Sequence, residues 1–379
     1  MEKILFIVSS WGNGGVESYI SNIIPLLKDK YSFDVLAIRE ISENSLFSQK
    51  ILKCDSTINK IEIKNIKNPL RKIEARIKKL IEFISQKKYS IIHINCTTAD
   101  FLLFAVAIKK KFPGIKVIIH CHGDNVEPPY KFLKLCFHNV IKDIIPNSFD
   151  YLIGCSQRTL SWMFPKRILK NTSNKVIYCG IDLEKFKFSV TNRNEIRNQI
   201  NCEENIRLIG TVGRICEQKN PFYILKIIQD LSKKSLNYKF LWVGEGALYE
   251  KVKAKAKEMN IADKIIFYGK CKDIEKIYSA LDIFVLPSIY EGNPIVGLEA
   301  QANGLKCLFS DKIVGEAKIT NNVEFLSING KTTKWAEEIL KLEKSNYKRE
   351  DMVEELQKKE KDVKSCVGQL EKIYSKLLD

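Results

Sequence analysis

Nothing in the 379-residue sequence approaches the roughly 20 consecutive apolar residues that a bilayer-crossing helix needs. The longest clearly apolar run, residues 101–108, is far too short. The opening MEKILFIVSS has no basic segment ahead of its apolar residues and runs into a polar, glycine-rich turn, so it reads as a first strand and not as a signal peptide. Close cysteine pairs are missing as well. Among the 11 cysteines the tightest spacing is the 14 positions from Cys202 to Cys216, which excludes CxxC zinc and redox motifs. The thiols are then expected to be small buried hydrophobes in a reducing, cytoplasmic compartment. Internal repeats and low-complexity tracts are also lacking, and 45% hydrophobic with 28% charged residues excludes a disordered or fibrous chain.

What the chain has in excess is positive charge, a formal +17. It is uneven: residues 1–183 hold 28 basic and 16 acidic side chains, +12, and the remainder only +5. A lysine-biased genome would raise charge throughout, so the asymmetry points to an anionic surface or ligand facing the first half. No nucleic-acid motif accompanies it, and nucleic acid is not expected as a partner.

Short runs rich in Ile, Val and Phe alternate with stretches of helical period. Strands are expected at residues 3–10, 33–39, 91–95, 116–120, 151–155 and 175–178, then at 207–212, 239–243, 264–268, 283–286 and 306–309. Between them, residues 70–84 place Leu70, Ile73, Ile77, Leu80, Ile81 and Ile84 on one helix face. Such alternation predicts an α/β protein of two doubly wound parallel-sheet domains, 1–183 and 184–363, facing across a cleft. The segment from Asp182 to about residue 206 is polar, poor in strand signal, and reads as the join. A charged helical pattern over 352–378 ends the chain, and its last part, about 364–379, is expected to pack back on the first domain.

Three stretches carry chemistry. The first turn, SSWGNGGVES, has Gly12, Gly14 and Gly15 where a strand meets a helix, a place for an anion on free N–H groups. A dinucleotide fingerprint needs a third glycine where Glu17 stands, although Glu40 could imitate a ribose-binding acid. After the strand at 207–212, GRICEQKNP sets Arg214 and Lys219 at a strand end, two cations suited to a diphosphate. Further on, IYEGNPIVGLEA offers Glu291 on a loop, Gly292 for an unusual backbone angle, Pro294 for a first helical turn, and Glu299 on the helix. Two carboxylates in one site suit a polyhydroxylated ligand such as a sugar nucleotide.

Together these stretches resemble the retaining glycosyltransferases of the GT-B fold, family 4, of the capsular and exopolysaccharide type. That family carries a glutamate–seven residues–glutamate motif, here Glu291 to Glu299, a GR…K segment, here Gly213, Arg214 and Lys219, and a GGxE turn, here Gly14, Gly15 and Glu17. The likeness extends over most of the chain, and HCHGDN looks like the HSHN stretch of the same group. The resemblance implies that Arg214 and Lys219 hold the donor diphosphate and stabilise the departing nucleotide without a metal or other cofactor. It implies that Glu299 binds the ribose and that Glu291, with Gly292, Asn293 and Pro294, holds the donor sugar. Gly14 and Gly15 would close over the phosphates, and His122, with His120 beside it, would sit near sugar and acceptor. Retention in this family is explained by front-face substitution, the leaving phosphate taking the acceptor proton.

Two departures stand out. Cys179 replaces the asparagine of the family's NGID stretch, and Gly123 and Asp124 stand where the closest group has Asn and Ser. The expected acceptor is a lipid-linked saccharide at the anionic inner face of the membrane, with a UDP-sugar as donor. Lys131, Lys134 and Lys142, interleaved with apolar residues just after His122, fit acceptor or membrane contact. The competing readings are a dinucleotide-dependent oxidoreductase built on the glycine turn and Glu40, and a non-catalytic sugar-nucleotide-binding scaffold.

Overall fold

A computed structural model describes all residues except 43–44, 64–65, 127–129, 146–147, 235–236, 345–348 and 350. The chain divides into two compact units, Met1–Gly180 with Val363–Asp379, and Ile181–Asp362. The first holds a parallel sheet of β1 (Glu2–Val8), β2 (Tyr31–Ala37), β3 (Thr57–Lys60), β4 (Ile91–Cys96), β5 (Lys116–Cys121), β6 (Tyr151–Gly154) and β7 (Asn174–Val176), in the order β3-β2-β1-β4-β5-β6-β7. The second sheet contains β8 (Arg207–Val212), β9 (Tyr238–Val243), β10 (Ile265–Gly269), β11 (Ile283–Leu286), β12 (Lys306–Ser310) and β13 (Val323–Leu326), ordered β10-β9-β8-β11-β12-β13 and again parallel. Both sheets are therefore Rossmann-like, as the strand–helix alternation predicts.

The central strands are buried and mostly apolar because helices cover both faces. All six residues of β4 are buried, and so are all four of β11. Strand order reverses between β1 and β4 in the first sheet and between β8 and β11 in the second. At such a reversal the loops leaving neighbouring strands diverge to opposite faces and open a crevice at the carboxyl ends. The functional loops of each unit lie at its own reversal.

Some expectations need correcting. The polar join is not a linker: Leu183–Phe186 and Val190–Gln199 are helices within the second unit. Arg197 is almost wholly buried, donating to the carbonyls of Ala280, Glu203 and Ile206 and pairing with Asp282. The terminal pattern is two helices, Val353–Lys358 and Val363–Leu378, separated by Glu360 at φ 54°. The latter belongs to the first unit, tied to it by a Lys30–Glu371 ion pair and by Tyr374 on His93. Of the cysteines, seven are buried, but Cys136 is exposed.

Candidate active site

In the second unit, β8 ends at Val212 and the chain turns through Gly213 at φ +144°. That angle admits glycine alone without strain, and a Cβ there would meet Lys219 Cε at 3.0 Å. The loop is buttressed by the VGEG turn after β9. Gly213 N–H donates to Val243 O and Ile215 N–H to Glu245 O, at 2.9 and 3.0 Å. Gly244, at φ +129°, comes so close that an added Cβ would lie 2.1 Å from Gly213 O. Gly292, which the sequence marked for an unusual angle, is not among the glycines with positive φ, which are Gly213, Gly244, Gly269 and Gly304. Gly244→Ala is expected to cost roughly 3 kcal/mol in urea unfolding, because backbone meets backbone and neither can rotate aside.

Arg214 is exposed on this loop, and Lys219 follows at the end of the short 3-10 turn Glu217–Lys219. The structure brings Lys219 and Glu291 together: Nζ donates to Oε1 at 2.7 Å, with the side chains 17% and 10% exposed. The other carboxylate oxygen accepts from Gln218 Nε2 at 3.2 Å, and the same amide donates to Tyr290 O at 3.1 Å. Gln218 is a site residue that the sequence reading missed, although its place beside Lys219 was a usable signal. The β8 and β11 loops are thus stitched by one carboxylate with a cation on one oxygen and an amide on the other. Asn293 stands between Gly292 and Pro294, and Pro294 is the residue immediately before the helix Ile295–Ala302, not within its first turn.

Glu299 projects from that helix yet is only 8% exposed. Burial pushes its carboxyl up to about 7, against the pull of Tyr278, whose hydroxyl donates to Oε2 at 2.7 Å. Tyr278 is itself fully buried, and its ring packs against Phe186 and Phe284. No short-range pattern links residues 278 and 299, so this partner was not readable beforehand.

In the first unit the glycine turn leads into the helix Gly15–Leu27, and its own glutamate occupies it. Glu17 Oε1 accepts from Gly12 N–H at 3.1 Å, and a Cβ on Gly14 would meet Glu17 Oε2 at 2.6 Å. A side chain at Gly14 would therefore displace the carboxylate that covers it. On the far side of the strand reversal, His120 and His122 leave β5 stacked ring on ring, centroids 4.1 Å apart. His120 is fully buried, and its Nε2 has no hydrogen-bond partner among the described residues. His122 Nε2 lies 2.9 Å from Asn95 Oδ1, and burial depresses the imidazole to about 3, which keeps it neutral. Lys131 and Lys134 are exposed on the helix Lys131–Ile144, beyond residues 127–129, which lie outside the described residues.

Two family models account for most of the chain: glycosyltransferase family 4 over residues 13–185 and glycosyl transferases group 1 over residues 192–359. The chain belongs to the group 1 glycosyltransferases. EpsF of Bacillus subtilis is 25% identical over 381 residues, 99% of this chain and 96% of that protein. The Escherichia coli UDP-Gal:alpha-D-GlcNAc-diphosphoundecaprenol alpha-1,3-galactosyltransferase is 29% identical over 255 residues, 61% of this chain and 60% of that enzyme. Among solved structures, Anabaena HepE in complex with UDP and glucose superposes with a TM-score of 0.78 over 99% of this chain and 100% of that one, at 17% identity. That likeness concerns the fold: two Rossmann-like parallel-sheet domains of the GT-B class. The protein is a glycosyltransferase, and the oxidoreductase reading finds no support.

Proposed function

We propose that this glycosyltransferase moves a sugar, with retention of configuration, from a UDP-sugar to a lipid-diphosphate-linked saccharide of a bacterial surface polysaccharide. The observation that carries the donor half is the Lys219–Glu291 pair, which places a cation and a hydroxyl-accepting carboxylate 2.7 Å apart at the reversal of the second sheet. A diphosphate takes the cation and Arg214, and the sugar hydroxyls take Glu291. Developing charge on the leaving phosphate is then stabilised by groups already in place, which is the form of catalysis that front-face departure requires. The diphosphoundecaprenol acceptor in the E. coli relative's name supports the lipid-linked reading. Transfer and hydrolysis assays against a panel of UDP- and GDP-sugars test it: turnover confined to a GDP-sugar would overturn the donor, and loss of turnover in EDTA would overturn the metal-free clamp.

The same reading puts the first unit on the anionic inner face of the membrane. The helix Lys131–Ile144 buries only His138 and Ile141. Phe132, Val140 and Ile144 recur at four-residue multiples on its outer side and are 75%, 55% and 68% exposed, with Leu133 next to them at 66%. Lys131 and Lys134 flank this stripe. An apolar stripe edged by lysine lies in the headgroup region of anionic lipid. No described helix is long and apolar enough to cross a membrane, so attachment would be peripheral. Phe132→Glu with Leu133→Glu is expected to abolish flotation with phosphatidylglycerol vesicles at low salt and to leave turnover on a water-soluble acceptor unchanged. Equal flotation of both forms would sink the assignment.

A further inference from the structure

We infer that Asn95 is a positioning residue that fixes His122 as the Nε2–H tautomer and leaves Nδ1 as the lone-pair nitrogen that accepts a saccharide hydroxyl. The inference rests on the proposed placement of His122 at the sugar, but its first half stands on geometry alone.

Asn95 sits in β4, where all six residues IIHINC are buried. A side-chain amide there must satisfy its polar atoms inside the protein. Its Nδ2 donates to the backbone carbonyl of His93 at 3.2 Å. Turning the amide over would set Oδ1 against that carbonyl, two acceptors at hydrogen-bond distance, so the backbone dictates the orientation. With Nδ2 committed, Oδ1 faces His122 Nε2 at 2.9 Å. A carbonyl oxygen can only accept, so Nε2 carries the proton. A neutral imidazole has one N–H, and Nδ1 is then bare.

The surroundings oppose any second proton on this ring. His120 stacks on one face at 4.1 Å and Tyr19 lies at 5.3 Å, while His93 Nε2 and His120 Nδ1 are themselves within 3.2 Å of each other. No carboxylate pairs with the ring among the described residues, and Nδ1 has no polar partner among them. His122 is consequently an acceptor of hydrogen bonds and not a general acid. It can orient a hydroxyl of the sugar or the acceptor without drawing its proton away, which leaves that proton for the departing phosphate.

The test is 15N NMR of the full-length protein labelled at histidine, joined to steady-state kinetics of Asn95→Leu and Asn95→Asp. In the unmodified protein, Nε2 of His122 should resonate as a protonated nitrogen and Nδ1 as an unprotonated one. Asn95→Leu, which keeps bulk but removes the acceptor, should give a mixture of tautomers and about a tenfold lower kcat with the donor KM unchanged. Asn95→Asp retains an oxygen toward Nε2 and should keep the proton there, although its second oxygen faces the His93 carbonyl and should lower the unfolding midpoint. A proton on Nδ1 in the unmodified protein, or an unaltered tautomer in Asn95→Leu, would overturn the inference. A tautomer change with turnover untouched would support Asn95 as the lock and overturn instead the placement of His122 at the sugar. Should Asn95→Leu fail to fold, the unmodified spectrum and the Asp variant still decide the matter.

Discussion

Replacing Lys219 with alanine is expected to lower kcat by about a thousandfold, the loss typical of removing one donor aimed at charge that develops in the transition state. The variant alone would be ambiguous, because Lys219 also neutralises Glu291 in the resting protein. Truncation leaves a mostly buried carboxylate with Gln218 as its one remaining side-chain partner among the described residues, at a cost of roughly 2 kcal/mol in stability. The decisive comparison is therefore Lys219→Ala combined with Glu291→Gln. Removing the stranded charge should restore the unfolding midpoint, whereas turnover should stay low, since nothing replaces the cation at the diphosphate. Recovery of both together would show that Lys219 serves the fold and not the leaving group. Glu291→Gln alone separates the other partner: it keeps the shape, frees Lys219, and weakens the grip on the sugar hydroxyls.

The division of the fold was readable because buried parallel strands cannot hide. Strands such as β1, β5 and β9 are covered on both faces, so they appear as continuous apolar runs with no polar alternation. The strands that escaped notice are β3, TINK, and β13, VEFL. Both lie at sheet edges and are partly solvent-facing, and short edge strands carry little hydrophobic signal. The stretch around Arg197 misled for the opposite reason. A polar sequence normally means a solvated connector, but here the guanidinium is buried, and two of its partners, Ala280 and Asp282, come from far along the chain. Pairing across 85 positions leaves no local trace.

Legibility of the site follows the same line. Gly213, Arg214, Lys219 and Glu291 could be singled out because they follow strands, and Glu299 because it stands on the next helix, in a spacing that resembles a family's. What could not be read were the residues that act on them through space: Gln218 on Glu291, Tyr278 on Glu299, Asn95 on His122. Gln218 was marked only by its place beside Lys219, whereas Asn95 had a signal of its own. An amide and a histidine inside an otherwise apolar strand, IIHINC, require partners, and a fully buried strand can supply them only across the sheet or at its end.

Those hidden partners determine the second large effect, the pH dependence of donor binding. Burial raises Glu299 to about 7, while the Tyr278 hydroxyl and Lys185 favour the ionised form. A folded value above the usual one, 4.5, means that between those limits the folded protein holds a proton that the unfolded chain has released. The contribution to stability is fully present below 4.5 and is lost as pH rises to 7, a fall on the order of 3 kcal/mol. Binding runs the other way. A ribose diol donates to a carboxylate and gains less from a carboxylic acid, so the donor KM should rise about tenfold for each pH unit below 7. Other groups do not confuse this window: His122 stays neutral, and the diphosphate of a nucleotide sugar, esterified at both ends, does not titrate there. Glu299→Gln should give a KM that is high and flat from pH 5.5 to 8, about a hundredfold above the parent at pH 8. Tyr278→Phe should move the inflection upward, because the hydroxyl that stabilises the ionised form is gone. A parent KM that does not change across this range would mean that Glu299 meets no part of the donor, and an unmoved inflection in Tyr278→Phe would mean that the 2.7 Å contact does not set its charge.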